Sequence, residues 1–232
     1  MASIRLPDEG TSLVTGAPTA SSTTTASELL SKRNLWVLGG LLAVIVLILG
    51  LSFGLVKPTK EVAYSAVARI DNGTIQGTVS FSQAKSGGAV TITLALRGIP
   101  ASNGWNSDPK KVGGDPFLHG MHIHNKSDLA NDCNNTGGHL NLGFTYHAGP
   151  SNTTRHTGDL GNHVTEADKS INKVFTDSVI SLVPGNAADV TAGRAFVIHA
   201  DSDDYGLGGF GDSLTSGHAG LRLACGVIKR TS

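Results

Sequence analysis

Imidazole is the chemically active group this chain holds most of. Histidines stand at 119, 122, 124, 139, 147, 156, 163, 199 and 218. His122-Ile123-His124 is an H-x-H triplet. On a strand, side chains two apart share a face, so both rings would point one way and Met121 and Ile123 the other. Taken alone, such a triplet reads as well as two polar positions on the wet face of a half-buried strand. His139, His147 and His156 follow in a stretch of glycine, asparagine and proline, and Asp159 comes three residues after His156. That stretch has few apolar residues to hold it, and a metal would order it. Three imidazoles and one carboxylate make a closed tetrahedral set suited to Zn²⁺. His199 ends the apolar run Ala195-Phe196-Val197-Ile198 and would face the same cluster as the triplet. Imidazole-rich sets favour copper or zinc over magnesium or calcium. The expectation is two metals drawing on seven residues, six of them histidine.

Short strands would have to carry these groups. Val62–Ile70 alternates apolar and polar residues, and Asp71-Asn72-Gly73 is a turn into Ile75–Phe81. Ser86-Gly87-Gly88 leads to a third strand, Val90–Leu96. Further strands are expected at 117–124, 158–166, 172–180, 194–199 and 221–228, with no convincing helix between them. The stretches 125–157 and 200–220 are long irregular loops, which in a compact domain are usually functional. Thirty glycines against seven phenylalanines, three tyrosines and two tryptophans fit strands joined by turns. The expected class is all-β, an antiparallel sandwich or barrel. Eighteen basic residues balance eighteen acidic ones, which excludes a polybasic nucleic-acid partner and an acidic tail. Two cysteines, Cys133 and Cys225, allow at most one internal bridge and no four-cysteine metal module.

The first part of the chain is of another kind. Residues 1–34 read as a disordered tail, poor in apolar residues to bury. Leu35–Val56 is a run of 22 residues without a charge, about 33 Å long as a helix and therefore able to span a bilayer. A cleaved signal peptide is the alternative, but its apolar region would be shorter and nearer the start, which favours an uncleaved anchor. The expectation is one transmembrane helix over 35–56, a linker at 57–61 and a folded domain at 62–232. Lys32 and Arg33 precede the helix and Lys57 and Lys60 follow it, so the charge rule is close to balanced. A first hydrophobic segment with basic residues just before it usually keeps its N-terminus in the cytosol, and the domain is expected outside or in a lumen. Acceptor sequons begin at Asn72, Asn125, Asn134 and Asn152 in that domain.

His119-Gly120-Met121-His122-Ile123-His124 resembles the signature of copper/zinc superoxide dismutases. Gly138–Asn141, Arg155–Asn162, Asp177–Leu182 and Gly220–Ile228 match the same family in the same order, over roughly residues 62–228. The resemblance implies an eight-stranded antiparallel Greek-key β-barrel that dismutates superoxide to dioxygen and hydrogen peroxide. It implies copper at His122, His124, His139 and His199, and zinc at His139, His147, His156 and Asp159, with His139 shared. It implies that Asp203 links a ligand of each metal, that Arg222 receives the substrate anion, and that Cys133 and Cys225 form a disulfide. It makes His119 structural; His163 and His218 read as exposed polar residues. The competing expectation is a membrane-displayed copper- and zinc-binding or interaction module without turnover.

The chain also departs from the family. An insert runs from about Asn103 to Pro116. Gly211–Thr215 keeps one acid, Asp212, and has Thr215 where a steering lysine would stand, so steering of substrate should be weaker. Lys126 and Ser127 replace an aromatic–glycine pair, and Arg230 an apolar residue, at the family's usual dimer face. A monomer is expected, because a two-fold contact would bring each of these charges in twice.

Overall fold

The computed structural model describes residues 63–101 and 117–232. The tail, the apolar run, the linker and the insert lie outside the described residues. The described ones belong to one unit spanning Lys60–Ser232.

Eight strands form it: β1 (Ala63–Asp71), β2 (Gln76–Ala84), β3 (Val90–Arg97), β4 (Leu118–His124), β5 (Asp159–Val164), β6 (Ser170–Asp177), β7 (Ala195–His199) and β8 (Arg222–Arg230). The pairing order is β5-β4-β7-β8-β1-β2-β3-β6, antiparallel throughout. β3 and β4, and β6 and β7, follow each other in the chain but are not neighbours, and these crossovers make the Greek key. The two strands at the ends of the order, β5 and β6, face each other across a seam where the rings of His163 and Phe175 lie 4.5 Å apart. The barrel is nearly closed.

Alternation explains one half of the barrel. Ala66, Ala68 and Ile70 of β1, Val79 and Phe81 of β2, and Val90, Ile92, Leu94 and Leu96 of β3 are buried, and most of the residues between them are not. Phe81 and Phe196 meet edge to face across the interior, ring centres 6.4 Å apart. Strands β4 and β7 do not alternate: six of seven residues in β4 and all five in β7 are buried. Their inner faces supply Met121, Ile123, Phe196 and Ile198 to the core, while their outer faces lie under the two long loops. Those loops hold little regular structure, a 3₁₀ turn at Asn134–Thr136 and a single helical turn, α1, at Ser213–Ser216.

The strand expectations hold to within two or three residues at each end. The exposed reading of His163 does not. It is buried, 7% exposed, opposite His119 in the β4–β5 register and against Phe175 at the seam. Gly161, Asn162 and Val164 around it show no period-two pattern that would mark an inward-facing position. His218 is half-buried, with Nδ1 2.6 Å from Asp212 Oδ1 and its ring stacked on Phe210.

Candidate metal centre

The outer face of β4 starts the site. His122 and His124 point away from Met121 and Ile123, as the period-two reading requires. The 125–158 loop returns to the same place because Leu140 is buried in the core and its N–H donates to Ile123 O at 2.8 Å. Gly158 then donates to Leu140 O, and Ile123 donates to Gly158 O. A side chain at Gly158 would strike that carbonyl of Ile123, its Cβ only 2.2 Å away, so glycine is needed for the loop to lie this close. This fastening sets His139 against β4 and Asp159 opposite His122. His199 arrives from the end of β7.

Two donor sets result. His122, His124, His139 and His199 each bring a ligand atom within 4.8 Å of the others, all four residues buried. The second set centres on Asp159 Oδ1, which lies 2.8 Å from His139 Nδ1, 3.0 Å from His147 Nδ1 and 3.3 Å from His156 Nδ1. His139 Nδ1 and His156 Nδ1 are 3.4 Å apart. A tetrahedral ion with bonds of about 2.0–2.1 Å spaces its donors about 3.3 Å apart, so this set has the right size for zinc. His122 also comes within 4.8 Å of His139, His147 and Asp159, but its Nε2 is spent on Asp203.

Each ring is oriented by its other nitrogen. His124 Nδ1 donates to Gly137 O at 2.8 Å, His199 Nδ1 to Gly220 O at 3.3 Å and His156 Nε2 to Thr145 O at 3.1 Å. His124 Nε2 and His199 Nε2 are thereby left facing each other at 3.4 Å. His122 Nδ1 and His139 Nε2 are buried with no hydrogen-bond partner among the described residues. Stranded inward-facing ring nitrogens are costly unless something binds them, and a metal does so. Burial pushes His122, His124 and His139 well below the ordinary histidine range, and His199 to about 4. These rings are therefore neutral, the form that ligates. Burial also pulls on His147, but hydrogen bonds to Asp159 and Asp203 outweigh it and raise the ring to about 9. Burial would raise Asp159, yet its bonds from His139, His147 and His156 hold it far below the usual carboxylate range.

Asp203 is fully buried and joins the two sets. Its Oδ2 is 2.9 Å from His122 Nε2 and its Oδ1 2.7 Å from His147 Nε2. Gly217, at φ +66°, is pressed against this junction; a Cβ there would sit 2.2 Å from Asp203 Oδ1 and 2.5 Å from His147 Nε2. Asn162 fixes the Asp203 backbone from both sides: its Nδ2 donates to Asp203 O and its Oδ1 accepts from Asp203 N. The Tyr205 hydroxyl accepts from Asn162 N.

Arg222 begins β8 at the mouth of the four-histidine set. Its Nη1 donates to Cys133 O at 2.7 Å and Asn134 O at 3.0 Å, and its Nη2 donates to Gly137 O at 2.7 Å. Cys133 and Cys225 are joined by a disulfide, tying the first loop to β8 beside this guanidinium. His119 stands apart from both sets, its Nδ1 donating to His199 O at 2.8 Å.

Every residue singled out in the sequence for metal or anion chemistry therefore lies in one place. Sequence reading missed the supports. Thr136 is buried, accepts from Arg222 Nη1 and lies 3.1 Å from His124 Nδ1. Arg155 is buried, donates to His156 O and Asp159 O, and forms an ion pair with Asp177. Asn162 and Gly217 complete the group. Asn162 and Gly217 act through contacts distant in sequence, Thr136 reaches Arg222 in the same way, and Arg155 joins its near neighbours His156 and Asp159 to the distant Asp177.

The known proteins this chain is similar to share this geometry's region. Residues 75–228 match the family model described as copper/zinc superoxide dismutase. A superoxide dismutase [Cu-Zn] of Candida albicans is 40% identical over 166 residues, covering 72% of this chain and 96% of the relative. An extracellular superoxide dismutase [Cu-Zn] of Drosophila melanogaster is 37% identical over 172 residues, covering 74% and 85%. Among solved structures, the clock protein EA4 superposes with a TM-score of 0.61 at 34% identity, covering 71% of this chain and 93% of that one. The stretch matched by the family model carries β2 to β7 and most of β8, both donor sets and the arginine, and the chain belongs to the copper/zinc superoxide dismutase family, enzymes whose cofactors are copper and zinc.

Proposed function

We propose that the protein dismutates superoxide at a paired copper and zinc centre held on the non-cytosolic side of a membrane. One observation carries the site assignment: two sets of inward-facing donors share the ring of His139, one through each nitrogen. Copper would be held by His122 Nδ1, His124 Nε2, His139 Nε2 and His199 Nε2. Zinc would be held by His139 Nδ1, His147 Nδ1, His156 Nδ1 and Asp159 Oδ1. Bound copper supplies a one-electron couple that oxidises one superoxide to dioxygen and reduces a second to hydrogen peroxide, while zinc, which has no such couple, supplies fixed charge.

The chain's own groups do the rest. Arg222 is always charged, and its bonds to the Cys133, Asn134 and Gly137 carbonyls keep it from swinging away, so it offers a small anion a preformed seat. His139 is the proton carrier for the peroxide product: its Nε2 has no hydrogen-bond partner among the described residues, and Asp159 at Nδ1 keeps the ring from turning. Asp203 couples the two sets by orienting His122 and His147 together.

Residues 35–56 anchor the protein, with Lys32 and Arg33 on the cytosolic side. The relatives from Drosophila and from Brugia pahangi named as extracellular support an exposed or lumenal barrel. The barrel works as a monomer: Lys126 and Ser127 are exposed, and Arg230 spends its charge within the chain, 3.0 Å from Asp189 Oδ2 and over the Tyr64 ring.

Separate titration of copper and zinc into the metal-free barrel tests the assignment. His124→Ala should lose the copper absorption band and keep zinc stoichiometry. His156→Ala should weaken zinc at least about tenfold. Unchanged zinc affinity in His156→Ala would contradict the ligand set and favour His122 in its place.

A further inference from the structure

A groove of about 450 Å³ beside His147 takes no part in the chemistry above. Phe144, Tyr146, Leu207 and Leu214 line it, together with Asn152 and Thr154. Phe144 is 93% exposed, Leu207 72% and Tyr146 71%. Phe144 also sits at φ +50°, a conformation unfavourable for a bulky residue. Large side chains gathered and exposed in this way mark a surface that is covered in use.

Asn152-Thr153-Thr154 is one of four acceptor sequons, and the fold treats the four differently. Asn152 is exposed, and its Oδ1 accepts from Thr154 N at 2.9 Å and Thr154 Oγ1 at 3.1 Å. No hydrogen bond holds its Nδ2 among the described residues. The Asn72 Nδ2, by contrast, donates to Leu223 O at 2.8 Å, and its Oδ1 takes the N–H groups of Thr74 and Ile75. Asn125 packs its Oδ1 over Gly137, 2.2 Å from where a Cβ would stand. Thr136, the hydroxyl residue of the Asn134 sequon, is buried and bonded to Cys133 O and Arg222.

We propose that Asn152 carries an N-linked oligosaccharide whose first sugars lie in this groove over Phe144 and Tyr146. The donor is a polyprenyl-pyrophosphate-linked oligosaccharide. The bond from sugar C1 to the pyrophosphate oxygen breaks, the bond from C1 to Asn152 Nδ2 forms, and the displaced Nδ2 proton leaves with the lipid pyrophosphate. The C–H face of a pyranose packs on aromatic rings while its hydroxyls stay in water, so the exposed patch becomes a wetted one. The proposal rests on the lumenal placement given above.

Residues 60–232 fused behind a secretory leader separate the two readings, because the leader delivers the barrel to the lumen whatever residues 35–56 do. This part has its own core, and the Candida albicans relative consists almost wholly of the matching region. Peptide mapping should find the glycan at Asn152. Asn152→Gln should lose one glycan's mass, and Thr154→Ser should keep it. Asn152→Gln should also raise the fluorescence of an apolar dye at least about twofold, and adding Phe144→Ser should reverse the rise. An unmodified Asn152 in the secreted barrel overturns the proposal. So does dimerisation of the unmodified barrel through Phe144, which would put a second copy in the groove. Dye binding unchanged by Asn152→Gln overturns the packing of sugar on the groove. Full-length protein without glycan, beside a glycosylated secreted barrel, supports the site and contradicts the lumenal placement.

Discussion

A buried carboxylate between two imidazoles is stable only when both of its oxygens are used, and Asp203 uses both, on His122 and His147. The same principle explains why His163 is a weak point. Its Nε2 is buried without a partner among the described residues, and burial holds the ring to about 4 against an ordinary 6.5. Between those values the unfolded chain takes up a proton that the folded chain refuses, so stability falls as pH drops through this window. His163→Gln should remove that loss, on the order of 3 kcal/mol between pH 7 and pH 4. Chemical denaturation of wild type and variant at both pH values measures it; a difference between them that does not change with pH would contradict the assignment. The residue also marks a limit of sequence reading. The triplet His122-Ile123-His124 announces its facing by period two, whereas His163 sits among Gly161, Asn162 and Val164 with no such pattern. Its burial depends on β6 across the seam.

At the scale of elements, rigid strands set the ligands at their ends and the two loops close over them. β4 and β7 were legible because runs of apolar and histidine residues are bounded by glycine or polar turns. The loops were legible only as long and irregular, since Leu140, Thr136 and Gly217, and Arg155 through Asp177, hold them by contacts distant in sequence. The 200–220 loop also sets how the substrate is drawn in. Thr215 is exposed on α1, Leu207 and Leu221 are exposed, and Asp212 is paired with His218. Residues 211–215 keep one acid and no base, and fields of fixed charge are what salt screens. The dismutation rate should therefore fall less with ionic strength than in a relative bearing a lysine at the position of Thr215. Thr215→Lys should steepen the slope; equal slopes in the two would count against this account of the loop.

At the scale of the whole molecule, the barrel's charges decide what it can pair with. Burying one unpaired charge costs several kcal/mol in order of magnitude, and Lys126 would enter a two-fold interface twice, whereas Arg230 would enter it already paired with Asp189. Sedimentation of residues 60–232 at micromolar concentration should show one species of monomer mass. A dimer that Lys126→Phe strengthens would mean the usual face is used despite its charges. The N-terminal segments lie outside the described residues, so their placement rests on the uncharged run Leu35–Val56 and the basic pair before it. Barrel loaded with one copper and one zinc is assayed for superoxide dismutation beside the same protein loaded with zinc alone and beside loaded His124→Ala. Rapid turnover is expected in the first and loss of at least about a hundredfold in the other two, roughly 3 kcal/mol of lost transition-state stabilisation. A fully loaded barrel no faster than its zinc-only form would contradict the proposed dismutation.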